Sequence, residues 1–213
     1  EAFLGTTTVV AAVVVLMFVG ALAMLAKFYK KVRQGTALIR NGVGGSKVTF
    51  SGMFVIPIMH DHEIMDISVK QIEIYRHGGE GLICRDNLRA DIKVVFFVRV
   101  NNTPHDVLEV AQSIGCTRGS RNETLSDLFD GKFSEALKTV GKQFDFVELY
   151  NSRERFKEEI LKNIGTDLNG YVLDDCAIDY LEQTPSNQLD PNNILDAQGI
   201  KKITELTAKE QML

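Results

Sequence analysis

The chain has 213 residues, with 24 Lys plus Arg set against 28 Asp plus Glu and a formal net charge of −4. The bases are scattered apart from one group near residue 30, so no surface suited to nucleic acid is expected. Three cysteines, Cys84, Cys116 and Cys176, stand far apart with no CxxC. That argues against a disulfide framework or a zinc site and for small buried hydrophobes in a reducing compartment.

Residues 2–26 carry no charge and are rich in large apolar side chains: Leu4, Val9, Val10, Val13, Val14, Val15, Leu16, Phe18, Val19, Leu22 and Leu25. An apolar helix of about 20 residues matches a hydrocarbon core of about 30 Å. A helix also satisfies every backbone group within one segment, as lipid demands. A cleaved signal peptide is the competing reading, with Ala21-Leu22-Ala23 as its cleavage triplet. It would require a basic start and a shorter apolar core, whereas Glu1 opens this chain. The segment is therefore read as a single-pass transmembrane anchor. Lys27, Lys30, Lys31 and Arg33 follow it and no base precedes it. The excess of positive charge on one side places the C-terminal bulk in the cytoplasm and the short N-terminus outside. Phe28 and Tyr29 fall at headgroup level.

About 180 residues remain, enough for one domain or two small ones. Residues 33–101 have a β texture. Strands are expected over 36–40 and 47–50, separated by the turn-rich Asn41-Gly42-Val43-Gly44-Gly45. Met53, Phe54, Val55, Ile56, Pro57, Ile58 and Met59 form an apolar run broken by proline, which suits an edge or a bend rather than a central strand. Two readings stay open for it: ordinary core packing, or a loop that dips into the inner leaflet beside the anchor. Further strands are expected over 63–69 and 71–76, with 78–81 as a loop. In residues 88–100, Leu88, Ala90, Ile92, Val94, Phe96, Val98 and Val100 alternate against Arg89, Asp91, Lys93 and Arg99. Val95 and Phe97 make the middle of this long strand apolar on both faces, so some cover is expected there.

Residues 102–183 turn to an α+β texture. Thr103 as N-cap and Pro104 at the first helical position start a helix with Val107, Leu108, Ala111 and Ile114 on one face. Ser120-Arg121-Asn122-Glu123 has the form of a capping box. It opens a helix that buries Leu125, Leu128, Phe129, Phe133, Ala136, Leu137, Val140 and Phe144. A third helix, starting near Ser152, carries Phe156, Ile160, Ile164 and Leu168 and is expected to end at Asn169-Gly170. Residues 171–181 return to strand and can rejoin the long one, with Cys176, Ile178 and Tyr180 on one face. Residues 184–193 read as a linker. Residues 194–213 read as the start of a charged helix whose Ile200, Ile203, Leu206 and Leu213 are candidate assembly positions of a coiled coil. The chain begins with Glu rather than Met and stops within a helical pattern, so it is expected to be a piece of a longer protein.

No motif for catalysis or for a cofactor stands out. There is no G-x-x-x-x-G-K-[ST], no G-x-S-x-G and no H-E-x-x-H. His60 and His62 would share one face of a strand, but no third metal ligand lies nearby. His77 and His105 have no evident partner. No catalytic, metal or cofactor residues are therefore assigned.

Three stretches carry a likeness: Phe96-Phe97-Val98-Arg99-Val100, Asp130-Gly131-Lys132-Phe133-Ser134-Glu135-Ala136-Leu137, and Asp190-Pro191-Asn192-Asn193-Ile194-Leu195-Asp196-Ala197-Gln198-Gly199. With the order of elements above, the chain resembles the SPFH (stomatin/prohibitin/flotillin/HflKC) superfamily, and within it the bacterial flotillin-like inner-membrane proteins. The resemblance implies an α+β fold: an anchor, a β-rich first SPFH sub-domain, an α+β second (band 7-like) sub-domain, then a long coiled coil. It also implies a non-enzymatic membrane scaffold that homo-oligomerises into a large ring or cage and organises raft-like lipid and protein microdomains. The implied partners are membrane lipids, copies of itself, and a small NfeD-like membrane protein or a membrane protease. A stomatin- or prohibitin-type regulator that encloses a protease or channel is the alternative. A membrane-tethered metal enzyme using His60 and His62 ranks behind both.

Overall fold

The structure, a computed structural model, describes the backbone of residues 2–165 and 167–212 and the side chains of residues 11–165 and 168–212. Its first element, α1 (Ala2–Phe28), is one continuous helix of 27 residues. Leu4, Val9 and Val10 belong to this helix, but their side chains, like all of Leu213, lie outside the described residues.

The chain leaves α1 directly into a short strand, β1 (Tyr29–Lys31). Then follow β2 (Thr36–Gly42), β3 (Lys47–Thr49), β4 (Gly52–Phe54) and β5 (His60–Asp66). β1 pairs with β4 to make a two-stranded ribbon, and β3, β2 and β5 form a three-stranded antiparallel sheet in that order. The apolar Ala37, Leu38 and Ile39 at the centre of β2 are all buried, as is Met65 of β5.

A larger antiparallel sheet follows, built from β6 (Lys70–Arg76), β7 (Leu82–Ile83), β8 (Arg89–Val100), β9 (Asp167–Leu168) and β10 (Tyr171–Gln183). The order is β6-β8-β10-β9, with β7 also on β8. The alternation of β8 is realised: Ala90, Ile92, Val94, Phe96, Val98 and Val100 are buried on one face. Val95 and Phe97 on the other face are half-buried. They lie between the Lys93 ion pairs with Glu73 (3.1 Å) and Asp179 (3.2 Å) and the Arg99–Asp174 pair (2.9 Å).

The buried face of this sheet is covered by helices α2 (Pro104–Ser113), α3 (Cys116–Gly119), α4 (Asn122–Gly141), α5 (Phe146–Asn151) and α6 (Arg153–Ile164). Phe133 of α4 sits at the centre, its ring 4.4 Å from Phe96 of β8 and 5.4 Å from Phe129. One continuous core joins these residues to Ala37, Ile39 and Met65 of the smaller sheet.

Several local expectations change on contact with tertiary structure. Thr103 caps α2 as expected, its hydroxyl accepting from the Asp106 N–H at 3.2 Å. The capping box at Ser120 does not form. Arg121 occupies the N-cap without a side-chain cap bond, while the Ser120 hydroxyl donates to the Cys116 carbonyl (2.7 Å) and accepts from the Asp66 N–H (3.0 Å). The backbone group at the end of β5 needs an acceptor, and Ser120 supplies it. Leu128 faces outward at 48% exposure. The third helix ends earlier than expected, at Gly165, which takes a left-handed φ of 78°. Asn169 and Gly170, at φ 56° and 87°, instead make the two-residue hairpin between β9 and β10. Asn-Gly is the preferred pair for that turn, because both central residues need positive φ. Register shifts at Leu173/Asp175 and at Ile178/Tyr180 reset the alternation of β10. Cys176 and Leu181 therefore point inward while Tyr180 turns out.

Candidate functional site

Two constellations stand out, one at the foot of the apolar helix and one where the last helix leaves the body. At the foot, the stretch Ala11–Phe28 is apolar enough and long enough to cross a bilayer, and none of it is buried. Val13, Val14, Val15, Leu16, Phe18, Val19, Leu22 and Leu25 are all exposed around the helix. An apolar surface on every side of a helix suits a membrane span, since no protein face covers it here.

Immediately below, the Phe28 carbonyl accepts from the Val55 N–H at 2.9 Å, and the Val32 N–H reaches the Ser51 carbonyl at 2.9 Å. The Tyr29 ring meets Phe54 edge-on at 5.1 Å, and Arg40 Nη1 donates to the Phe54 carbonyl at 3.0 Å. The run 53–59 is thereby held against the end of α1. Val55 alone is a buried peg; Met53 is half-buried, and Phe54, Ile56, Pro57 and Met59 are exposed. Ile58 at the tip is 95% exposed. The Ile56 N–H donates to His60 Nδ1 (3.4 Å), which leaves the proton on Nε2 to reach the Val43 carbonyl (3.3 Å). His60 is thus a brace for the loop. Gly42, with φ at 137°, lets the two segments close up: a Cβ there would stand 2.2 Å from the Met59 carbonyl oxygen. Lys27, Lys30, Lys31 and Arg33 are exposed around the same foot.

The second constellation was not legible in the sequence. Arg89 and Asp91, on the charged side of β8, are buried. Arg89 Nε donates to Asp196 Oδ1 at 2.6 Å, and its Nη1 donates to the carbonyls of Gly79 (2.6 Å) and Gly81 (3.3 Å). Asp91 Oδ1 accepts from the Thr184 hydroxyl (2.5 Å) and the Gly78 N–H (2.9 Å). Asp196 lies in the first turn of α7 (Ile194–Gln211), where the Asn193 side chain caps the N-terminus by accepting from the Leu195 and Asp196 N–H groups. Asn87 Nδ2 donates to Gln198 at 2.7 Å. Gly199 belongs to the helix interior because a Cβ there would come within 2.8 Å of the Asn87 carbonyl. Segment 184–193 is therefore packed at Thr184 and Leu189. Ile200 and Ile203 are half-buried and Leu206 is exposed.

The cysteines, His77 and His105 belong to neither constellation. Burial first, with nearby carboxylates adding to it, pushes the thiols of Cys84 and Cys176 up to about 12. Burial and a hydrogen bond to Glu63 do the same for Cys116. His77 stacks on Tyr75 with ring centroids 4.8 Å apart. His105 Nδ1 lies 3.3 Å from Asp106. These two residues and Glu109 could converge on a cation. The Asp106 carboxylate, however, is already committed to the Thr103 hydroxyl and Asn101 Nδ2, each at 2.6 Å.

Comparison with known proteins agrees with this architecture. Residues 30–187 match the SPFH domain / Band 7 family. The chain is 32% identical over 207 residues to the flotillin family inner membrane protein YqiK of Escherichia coli K12, covering 96% of this chain and 37% of that protein. It is 28% identical over 205 residues to the flotillin family inner membrane protein sll1021 of Synechocystis, covering 92% of this chain and 30% of that protein. The chain thus spans about a third of the length of these relatives. With the matched region taking in both sheets and the helices that cover them, the chain belongs to the SPFH domain / Band 7 family.

Proposed function

We propose that this chain is the membrane-proximal part of a flotillin-like scaffold of the bacterial inner membrane. Its apolar helix tethers the SPFH body, and copies of the body assemble side by side into a large ring or cage that organises lipids and proteins into microdomains. The observation that carries this reading is the continuity between an unburied apolar helix and an exposed apolar loop at its foot, joined by the Phe28–Val55 hydrogen bond and the Tyr29–Phe54 contact. The named locations of YqiK and sll1021 support the inner membrane. In this reading Lys27, Lys30, Lys31 and Arg33 face the cytoplasmic leaflet, and the N-terminus lies outside.

The run 53–59 enters the interfacial layer of that leaflet in the same reading. Its exposed Phe54, Ile56, Ile58 and Met59 would otherwise face water beside a helix that is itself in lipid. The role is structural rather than catalytic, in keeping with the buried, protonated thiols and the bracing role of His60. The α7 positions Ile200, Ile203 and Leu206 would belong to the assembly helix, to which the sequence pattern adds Leu213. Small NfeD-like proteins or a membrane protease are the clients to look for by co-purification.

The test is the mass of the full-length protein extracted in mild detergent and then imaged in native membrane. A closed assembly of many copies is expected, and a monomer in both settings would refute the scaffold reading. A reporter fused after residue 213 should be active only in the cytoplasm. Ile58→Asp should leave the fold intact while lowering lipid-dependent protection of the loop; unchanged protection would remove 53–59 from the membrane contact.

A further inference from the structure

The C-terminal end of α4 and the turn at 78–81 flank an open cleft of about 460 Å³ lined by Arg76, Arg89, Lys138, Lys142, Glu80 and Ile83, with Gly79 and Gly81 along its backbone side. Four cations and one carboxylate make up its charged lining among the described residues. The two arginines already hold carboxylates: Arg76 makes two contacts with Asp130 at 3.0 and 3.1 Å, and Arg89 holds Asp196. The two lysines do not. Among the described residues Lys142 Nζ has only long contacts, to the Cys84 carbonyl (3.4 Å) and Asn87 Oδ1 (3.3 Å). Lys138 has no ion-pair partner among the described residues. Lys142 is the C-cap of α4, four residues after Lys138, and both line the cleft. The carbonyls at the end of α4 carry partial negative charge, which is smaller than the charge of the two ammonium groups.

We propose that this cleft binds a phosphoryl anion, held by Lys138 and Lys142 against the Gly79–Gly81 turn. Lysine ammonium groups act as point charges that suit a tetrahedral anion with several equivalent oxygens. The arginine forks, which suit carboxylates and phosphates alike, already hold Asp130 and Asp196. The volume lies in the range of small-molecule sites. The space beside Gly79 is open: a Cβ there would meet nothing within 4 Å. The phosphoryl group comes either from a soluble phosphorylated metabolite or from a phospholipid headgroup. This site is independent of the scaffold assignment.

The experiment is calorimetric titration of inorganic pyrophosphate into the full chain held in phosphatidylcholine nanodiscs, at low ionic strength so that screening does not hide the interaction. Saturable binding is expected. Lys138→Gln/Lys142→Gln should weaken it by about tenfold or more, since two charge-assisted hydrogen bonds are lost. Gly79→Glu, which adds a carboxylate at the mouth, should weaken it as well. Lys30→Gln/Lys31→Gln, at the foot of the anchor, should not change it. The titration repeated in discs containing phosphatidylglycerol separates the sources. Competition that disappears in the Lys138/Lys142 variant assigns the site to a lipid headgroup, and unaltered pyrophosphate binding assigns it to a soluble phosphate. Absence of saturable binding, or equal affinity in the parent and both cleft variants, overturns the proposal.

Discussion

Replacing Asp196 with alanine is expected to release α7 from the body without unfolding the body itself. Arg89 and Asp196 are 8% and 3% exposed, and their contact at 2.6 Å is the only carboxylate bond Arg89 makes among the described residues. Removing one partner of a buried ion pair costs about 3–5 kcal/mol, because the other charge is left without compensation. Arg89 keeps the Gly79 and Gly81 carbonyls, so the lower end, about 3 kcal/mol, is the appropriate figure. That corresponds to about two orders of magnitude in the docking equilibrium. Among the described residues the other ties on α7 include the Asn87–Gln198 bond and the close seat of Gly199, neither of which compensates the Arg89 charge. Amide exchange read by mass spectrometry should show residues 194–203 losing protection by about a hundredfold while β8 and α4 keep theirs. Arg89→Met/Asp196→Leu should restore most of the protection, since a well-packed apolar pair of similar volume is often neutral in place of a buried ion pair. Unchanged exchange of α7 in Asp196→Ala would refute the view that this pair fixes the direction in which the helix leaves.

Phe133→Ala should destabilise the body by about 3–5 kcal/mol in chemical denaturation, since the ring is fully buried between Phe96 and Phe129 and leaves a cavity. None of the three thiols should react with a maleimide at pH 8 in the native protein, and all should react in denaturant, because burial holds each up to about 12. Acid should destabilise the fold. Hydrogen bonds from Arg85, Lys157 and Thr103 hold the carboxyls of Asp145, Asp175 and Asp106 below their ordinary value. Their contribution is complete above the unfolded carboxyl range, near pH 4, and is lost as pH falls through the depressed native values. Thermal melts should therefore be level from about pH 5 upward and fall below about pH 4. In Arg85→Met/Lys157→Met that acid drop should be smaller.

The apolar helix, the basic group after it, the long alternating strand and the amphipathic faces of α4 and α6 were legible because each signal is local. A charge-free run and period-two alternation are properties of neighbouring residues, and they persist whatever the rest of the chain does. Asn169-Gly170, expected from its place after a helical pattern to end a helix, makes the β9–β10 hairpin instead. The left-handed Gly165 ended that helix first. What only the tertiary structure decided are contacts across large separations. Ser120 abandons its cap because the Asp66 N–H, 54 residues earlier, needs an acceptor. Arg89 and Asp91 look like solvent-facing charges in the alternation of β8. They become buried because Asp196 and Thr184, about a hundred residues later, return to meet them. The cleft beneath Lys138 and Lys142 has the same origin: its walls come from a helix and a turn whose proximity no local pattern encodes. Local periodicity tells a residue which face it is on; only the assembled chain determines what, if anything, comes to cover that face.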